Sequence, residues 1–426
     1  MPAIHEMIDG SPRTEASVWH AQKARRRTGL DGMRSFSVSG ALVSIGREPP
    51  QNSTDNPHPE DGTKPVFMRY AIREIDDPKL RKFLPQNPWA SHISSPDNTD
   101  EDCVDRDSIR NYLEGKPVRV LVIEDYGTTG IVGDPNQYLP NLIDGEADEA
   151  TRENTFYWFM RAIAASKPKS GRGGSWGLGK LAAPLASMAR TFFCVTKQYD
   201  TGRRYLVGQS VVKQHVRNNT LYDSELYYAK ENLQDPENMH SWLPIDDEEE
   251  IDEFCALFSV DRDAPGTSLI IPFAKDDEFG SVSSISDIAK CIIANWALPI
   301  VEGRLIVEFI GLDGKGYTAN SDSLREIIDS GKISWEGTPE LVHRKPNPAW
   351  SSISRITELV RLADSKSDKN GAVLQIGTPS TEGNYRRSPT AQIRDLIPSE
   401  EDADFIKVKE NFHKGEFIHI HGSLPV

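Results

Sequence analysis

The sequence predicts a mixed α/β protein, and three stretches of its 426 residues carry that prediction. "VRVLVIEDYG", Val118 to Gly127, is a nearly continuous apolar run, which is typical of a buried strand. "TFFCVTKQ" and "YLVGQSVV" follow later with the pattern of successive antiparallel strands. "SISDIAKCIIANWALPIVEG" has the apolar spacing of a long amphipathic helix. Strands and helices therefore share the chain, as in a fold built from layers around a common core.

Before the central strand, the pattern predicts five successive segments. The first ~30 residues are polar and are expected to form an arm or a loosely held helix. "SVSGALVSIGREPPQNSTDN" suits a short helix, a polar stretch rich in Pro and Asn follows, and "PVFMRYAI" suits a strand. A charged helix-and-loop region is expected from Asp76 to Lys116. The central strand, Val118 to Gly127, comes next.

After the central strand, the apolar spacing of "TFYWFMRAIAASKPK" predicts a helix, and a glycine-rich stretch follows it. "LAAPLASMA" predicts another helix, and "DDEEEIDEF" a polar loop that leads into a helix. "TSLIIPF" and "RLIVEFIG" predict strands on either side of the long amphipathic helix. A domain boundary is expected near Asp277 to Ser283. Because the chain stops just after a strand-like alternation, the natural protein is expected to be longer.

Composition narrows the class of protein. A hydrophobic content of 37% is enough for real cores, and no run approaches the ~18 apolar residues of a membrane span. The start lacks a signal-peptide pattern, and four scattered cysteines without a C-x-x-C pair argue against a zinc site or a disulfide framework. A cytoplasmic setting is therefore expected. The formal net charge of −15 opposes a role in coating nucleic acid.

Glu48 and Asn52 in "GREPPQNSTD" stand four residues apart, so a helix would place them on one face. A carboxamide oxygen there suits Mg²⁺, which prefers oxygen ligands, and a carboxylate can accept a proton from water that attacks a phosphate. A plain surface pair on a helix remains the alternative.

Asp125 lies at the carboxyl end of the predicted central strand, where ligands bind in many α/β sheets. Gly127 and Gly130 would let the backbone approach a flat ligand, and a buried carboxylate needs a donor such as the exocyclic amine of adenine. Gly266 and Thr267 precede the strand "TSLIIPF". An ordinary acidic turn and an ordinary G-T turn remain the alternatives for these two signals.

The fourth signal is the glycine-rich stretch "SGRGGSWGLGK". Gly174, Gly179 and Lys180 fit the spacing of a Walker A loop, but Leu181 stands where that motif needs Ser or Thr. A helix, rather than the required strand, is predicted before it. A flexible glycine-rich linker is the other reading that composition allows.

Taken in chain order, the four signals resemble the GHKL ATPases, the superfamily with the Bergerat ATP-binding fold. It includes type II topoisomerases, MutL, the ninety-kilodalton heat-shock chaperone, MORC proteins and sensor histidine kinases. Its order is an E-x-x-x-N helix, a D-x-G strand end, a glycine-rich lid and a G-T before a strand. This chain has "EPPQN", "DYG", "GGSWGLGK" and "GTSL" in that order, and the resemblance covers roughly residues 36 to 273.

The resemblance implies an architecture. An N-terminal arm would occupy residues 1–35, and a Bergerat-type domain residues 36–278. That domain would be a two-layer α+β sandwich on a mixed, largely antiparallel sheet, with an insertion at about 57–116 and the lid at about 168–181. A second, smaller α/β domain, similar to the transducers of MutL and the chaperone, would occupy residues 279–426.

The resemblance also implies an ATPase that uses Mg²⁺ to convert ATP and water to ADP and phosphate. Glu48 would activate the water, Asn52 would bind the metal and Asp125 would accept the adenine amine. Gly127, Gly130 and Thr267 would lie beside the base. The lid residues expected to contact the nucleotide are Gly174, Trp176, Gly177, Leu178, Gly179 and Lys180. Trp176 is equally interpretable as a hydrophobic latch or as a loop aromatic.

Pro49 and Pro50 depart from a smooth helix, because consecutive prolines remove two helical donors. We expect the helix to kink there or to restart with the prolines in its first turn. A kink or a restart would displace the Glu48 carboxylate. It would therefore impair ATP hydrolysis more than ATP binding. Two functions therefore stay open: an ATP-hydrolysing conformational switch, and a nucleotide-sensing scaffold with little hydrolysis.

Among its relatives, the motif order is most similar to the switch-like branch, and closest to bacterial MORC-like ATPases. In that branch, ATP closes the lid and dimerises the N-terminal domains, and a basic residue of the second domain completes the phosphate site. Lys366, Lys369 and Arg386 are the candidates here. The expected partners are ATP, a second copy of the chain, and an effector nuclease or DNA in an anti-phage role, with no membrane.

Overall fold

The computed structural model describes residues 17–24, 40–59, 64–98, 104–143, 146–161, 181–232, 242–277, 280–330, 374–375 and 420–421. The α-helices in this part of the chain are α1 (Ala41–Asp55), α2 (Leu80–Phe83), α3 (Ser91–Ile93), α4 (Arg106–Leu113), α5 (Glu149–Glu153), α6 (Ala182–Leu185), α7 (Glu248–Phe258), α8 (Ile285–Val301) and α9 (Leu324–Asp329). Short π-type turns lie at Gln86–Ala90 and Tyr157–Arg161, and a 3-10 turn at Pro96–Asn98.

The strands are β1 (Ser17–Lys23), β2 (Val66–Ile75), β3 (Val118–Tyr126), β4 (Leu142–Ile143), β5 (Glu146–Ala147), β6 (Thr191–Lys197), β7 (Arg204–Val211), β8 (His215–Arg217), β9 (Thr220–Glu231), β10 (Trp242–Leu243), β11 (Gly266–Pro272), β12 (Asp276–Asp277), β13 (Gly280–Ser281), β14 (Leu305–Ile310), β15 (Gly316–Ala319), β16 (Leu374–Gln375) and β17 (Ile420–His421). The strands predicted from "PVFMRYAI" through "RLIVEFIG" and the long helix before the last of them are therefore confirmed. The helix predicted from "LAAPLASMA" is shorter than expected and covers only Ala182–Leu185. The predicted helix Thr155 to Lys169 is described only as far as Arg161.

One sheet of eleven strands organises the fold, in the order β1-β9-β7-β6-β11-β3-β2-β14-β15, with β8 and β10 also paired to β9. Every pairing from β1 to β2 along this path is antiparallel, and β14 joins β2 in parallel. The mixed α/β class with a large, mostly antiparallel sheet is thus confirmed. β3 lies next to the centre, which explains its nearly continuous apolar sequence.

Alternate residues of β3 face two different environments. Leu121 and Ile123 face α1, since Tyr70, the cross-strand partner of Ile123, donates a hydrogen bond to the carbonyl of Ile45 in that helix. Val120 and Val122 belong to a core cluster that contains side chains of α2–α4 and α7. The helical segment after β2 therefore covers the face of the sheet opposite α1.

β1 is a correction to the expectation for the N-terminus. Ser17–Lys23, within the expected arm, forms an edge strand rather than a loosely held helix. The physical reason is Trp19, which is 4% exposed and lies within 6.4 Å, between ring centroids, of Trp89, Phe193 and Tyr228. One buried indole holds a segment whose other side chains are mostly polar.

Contacts within the chain define two compact units. One unit combines Met1–Cys291 with Leu305–Thr318, and the other combines Ile292–Arg304 with Ala319–Val426. In the second unit, β16 and β17 form a parallel pair. The domain boundary near Asp277 to Ser283 stays a prediction. Among the described residues, no helix has both the length and the apolar character needed to cross a membrane.

Candidate functional site

Helix α1 carries Glu48 and Asn52 and continues from Ala41 to Asp55 with both prolines in its interior. Of the two expected alternatives, a kink at the prolines or a restart with them in the first turn, the restart is therefore wrong. Pro49 cannot donate to the carbonyl of Ile45, and the buried hydroxyl of Tyr70 donates to that carbonyl instead, at 3.3 Å. A side chain from β2 thus replaces a missing backbone hydrogen bond and stabilises the helix beside Glu48.

The two candidate residues of α1 differ in exposure. Glu48 is half-buried, and this burial raises the pKa of its carboxyl group above 4.5, against an opposing effect of Arg47. Asn52, one helical turn further, is exposed. A carboxylate with a raised pKa suits a general base, and an exposed carboxamide can offer its oxygen to a cation.

Asp125, at the end of β3, is the point at which three of the four motifs meet. Ser53 of α1 donates its hydroxyl to Oδ2 at 2.9 Å. Thr128 donates its hydroxyl to Oδ1 at 2.7 Å, and the backbone N–H of Thr267 donates to the same oxygen at 2.8 Å. The Asp125 carboxylate therefore joins the "EPPQN" helix, the "DYGTTG" loop and the start of β11.

The loop after Asp125 is fixed to the end of α1. The N–H of His58 donates to the carbonyl of Gly127 at 2.9 Å, and the N–H of Thr129 donates to the carbonyl of Asn56 at 3.1 Å. Gly127 has a φ of 73° and Gly130 a φ of 65°, in the left-handed region that favours glycine. Both predicted glycines are thus required by the course of the backbone.

Gly266 and Thr267 lie at the beginning of β11. Gly266 has a φ of 142°, and a Cβ there would overlap the backbone oxygen of Asp125 and the guanidinium of Arg262. Thr267 reaches Asp125 through its backbone N–H. The structure therefore brings Asp125, Gly127, Gly130 and Thr267 together, with Asn52 adjacent to Ser53 on α1.

The described residues do not include the predicted lid glycines. Gly174, Trp176, Gly177, Leu178, Gly179 and Lys180 lie outside the described residues, and so do Lys366, Lys369 and Arg386. Their expected contacts with phosphate remain predictions.

Sequence reasoning missed Ser53 and Arg262. Ser53 directly follows Asn52, and its contact with Asp125 spans 72 positions of the chain. Arg262 is 1% exposed and donates to the backbone oxygen of Asp125 at 2.6 Å. A serine on a helix and an arginine in a charged loop carry no pattern that predicts such distant partners.

The hydrogen-bond acceptors and possible metal ligand of the site fit an adenine nucleotide with Mg²⁺. A carboxylate has about four acceptor positions, and the three donors on Asp125 leave room on Oδ2 for one more, such as an amine. Among the described residues, no group of three His, Cys, Asp or Glu side chains is arranged to hold a metal. Asn52 as a single protein ligand suits Mg²⁺, which usually keeps several waters and binds the phosphates of the substrate.

No protein-family model and no curated protein matches the chain. In a structure comparison, the ATPase and transducer domains of DNA topoisomerase II from Balamuthia mandrillaris match 66% of this chain at 14% identity, with a TM-score of 0.29. Two structures of the ATPase region of Saccharomyces cerevisiae topoisomerase II, one bound to dexrazoxane, match 67% and 68% at 11% identity, each with a TM-score of 0.25. The chain spans about half the length of these proteins, covering 49%, 53% and 52% of them. At such TM-scores the likeness carries no argument about this chain's function.

Proposed function

We propose that this protein binds Mg-ATP in a GHKL-type site and hydrolyses it as part of a conformational switch. The observation that carries the proposal is the Asp125 carboxylate, which accepts hydrogen bonds from Ser53, Thr128 and Thr267. These donors come from three motifs that lie far apart in sequence and appear in the order of the superfamily. A common ligand site explains both the order and the junction.

The proposed roles follow from chemistry and exposure. Asp125 accepts the amine of adenine, with Thr267 beside it, while Gly127 and Gly130 let the backbone lie close to the base. Asn52 holds Mg²⁺, which would neutralise charge on the phosphates. Glu48 accepts a proton from the attacking water, and its raised pKa brings its basicity closer to what that step needs.

The finer parts of the proposal rest on the sequence resemblance. They are lid closure by residues 168–181, ATP-dependent homodimerisation, and recruitment of a nuclease or of DNA in an anti-phage system. Bound nucleotide can shift such an equilibrium only if it contacts the closed state more favourably than the open one. The net charge of −15 favours a protein effector over DNA.

The second candidate function is a scaffold that binds ATP with little hydrolysis. The scaffold was suggested by the two prolines after Glu48, which were expected to displace its carboxylate. Because Tyr70 stabilises the helix across Pro49, we favour hydrolysis over the scaffold function.

Phosphate release by wild type and Glu48→Gln separates the two functions. Removal of the base is expected to slow steady-state release by at least about a hundredfold, because positioned bases contribute on the order of 10²–10⁴ in rate. ATP affinity is expected to stay within about threefold, since a general base contributes chiefly to the transition state. Glu114→Gln, at an exposed residue distant in sequence, is the matched control and should keep the wild-type rate. Equal near-zero rates with retained ATP binding would establish the scaffold instead.

A further inference from the structure

Arg262 is a fully buried arginine at the junction of β3 and β11, and none of the roles above accounts for it. Its guanidinium donates to the backbone oxygen of Asp125 at 2.6 Å and to that of Thr267 at 3.0 Å. It also donates to Oγ of Ser268, from Nε at 3.0 Å and from Nη2 at 2.7 Å. One side chain thus holds the two residues that the proposed site uses to recognise the base.

These contacts begin where the ladder between β3 and β11 stops. The paired residues run from Pro272 and Val120 to Ser268 and Glu124. One position further, Thr267 and Asp125 are joined through the Asp125 carboxylate and the Arg262 guanidinium. The direct contacts between Asp125 and Thr267 are therefore made through side chains, while each residue is also paired with the strand on its other side.

The guanidinium is held in one plane. The ring of Tyr126 lies beneath it, with the Arg262 Cζ atom 4.6 Å from the ring centroid. Tyr126 in turn donates its hydroxyl to the buried carboxylate of Glu124 at 2.9 Å. A Cβ at Gly266 would overlap the guanidinium, so the chain leaves this space to Arg262. A lysine cannot reproduce a planar fork that makes several directed hydrogen bonds and stacks on a ring.

We propose that Arg262 is a positioning residue that sets the preference of the site for a base with an amine at C6. This inference rests on the proposed ATP site. Hydrogen bonds weaken steeply when their angle or distance changes, so Asp125 discriminates only while its carboxylate is held in place. Hypoxanthine presents a carbonyl oxygen where adenine presents the amine, and two acceptors would then face each other. When the Asp125 carboxylate is no longer held in place, the repulsion between the two acceptors costs less, so the preference for adenine over hypoxanthine is smaller.

The test measures the dissociation constants of ATP and of inosine triphosphate for four proteins: wild type, Arg262→Lys, Ser268→Ala and Arg69→Lys. Wild type is expected to favour ATP by at least about tenfold, as expected of a site built to hydrogen-bond an amine. Arg262→Lys should reduce the ratio of the inosine triphosphate to the ATP dissociation constant at least threefold. Ser268→Ala should reduce that ratio by a smaller factor. Arg69 is the matched control, because it lies 3.5 Å from Glu124 and 5.9 Å from the Tyr126 ring without a hydrogen bond to Asp125 or Thr267. Arg69→Lys should keep the wild-type preference.

The pattern of dissociation constants distinguishes a positioning role for Arg262 from a structural one. A purely structural role for Arg262 would weaken both nucleotides equally, and an unchanged preference in Arg262→Lys and Ser268→Ala would overturn the inference. If thermal unfolding shows that Arg262→Lys does not fold, Ser268→Ala decides alone, since it removes only the hydroxyl partner of the guanidinium. A wild type that binds neither nucleotide would instead overturn the proposed function itself.

Discussion

Gly130 shows how one residue constrains the candidate site. An added Cβ would overlap the carbonyl oxygen of Lys197 and lie 3.0 Å from Oγ1 of Thr196 and 3.1 Å from the carbonyl oxygen of Gly266. Its φ of 65° adds the cost of left-handed backbone. We expect Gly130→Ala to lower the free energy of unfolding by about 3 kcal/mol or more, the sum of strain and overpacking, and to weaken ATP binding.

Gly202 supplies the matched control for this prediction. Its φ of 67° is nearly the same, and nothing lies within 4 Å of the Cβ position. Gly202→Ala should therefore cost only the backbone contribution, roughly 1–2 kcal/mol. Urea unfolding of both variants measures the difference. Equal losses would show that Gly130 is needed for its conformation alone and that the close contacts at the loop are unimportant.

At the scale of elements, helix α1 is stabilised across its prolines by a contact with β2. The hydroxyl of Tyr70 donates to the Ile45 carbonyl that Pro49 leaves without a helical donor. Tyr70→Phe should lower the free energy of unfolding by about 1–2 kcal/mol, because a buried carbonyl loses its partner.

A double-mutant cycle tests that explanation. In Pro49→Ala, residue 49 regains an N–H that can donate to the carbonyl of Ile45. Tyr70→Phe should then cost about 1 kcal/mol less than it does in wild type, as expected for residues that share a partner. Additive effects of the two substitutions in urea unfolding would contradict this account of the helix.

Elements with strong local patterns could be predicted from sequence. β3, β11 and the β6–β7 pair carry apolar runs, and α7 is capped by the preceding residue, Asp247, whose side chain accepts from the N–H of Glu250. β1 could not be predicted, because its polar sequence is held by Trp19 and by pairing with β9, about two hundred positions away. The same limit applies to the site. The motif residues were visible, but Arg262 meets Asp125 across 137 positions.

At the scale of the whole molecule, a buried histidine pair links the helical segment after β2 to the far part of the sheet. His92 in α3 and His215 in β8 are 4% and 0% exposed, with Nδ1 of His92 and Nε2 of His215 2.9 Å apart. The carbonyl of Lys213 can only accept from Nδ1 of His215, so Nε2 of neutral His215 accepts from His92. Burial lowers the pKa of His92 to about 4 and also lowers the pKa of His215.

This pair predicts the pH dependence of stability. Both folded-state pKa values lie below the ordinary value of 6.5, so the unfolded chain binds protons first as pH falls. Stability should be fully present above about pH 6.5 and decline toward pH 4, by up to about 1.4 kcal/mol for each histidine and each pH unit. Urea unfolding at pH 7.5, 6.5 and 5.5 measures this slope. His92→Gln should be less stable than wild type at pH 7.5 but show a flatter slope, and an unchanged slope would contradict the role of the pair.

The central claim is that Asp125 anchors an adenine nucleotide at the meeting point of three motifs. Calorimetric titration of Mg-ATP into wild type, Asp125→Asn and Asp263→Asn tests it most directly. An asparagine has one acceptor oxygen and adds two donors, so it cannot satisfy the hydroxyls of Ser53 and Thr128, the N–H of Thr267 and an amine together. Wild type and the exposed control Asp263→Asn should bind one equivalent, whereas Asp125→Asn should lose at least about a hundredfold in affinity, or roughly 2.7 kcal/mol. Absence of saturable binding by wild type, or equal affinity in Asp125→Asn, would contradict the account.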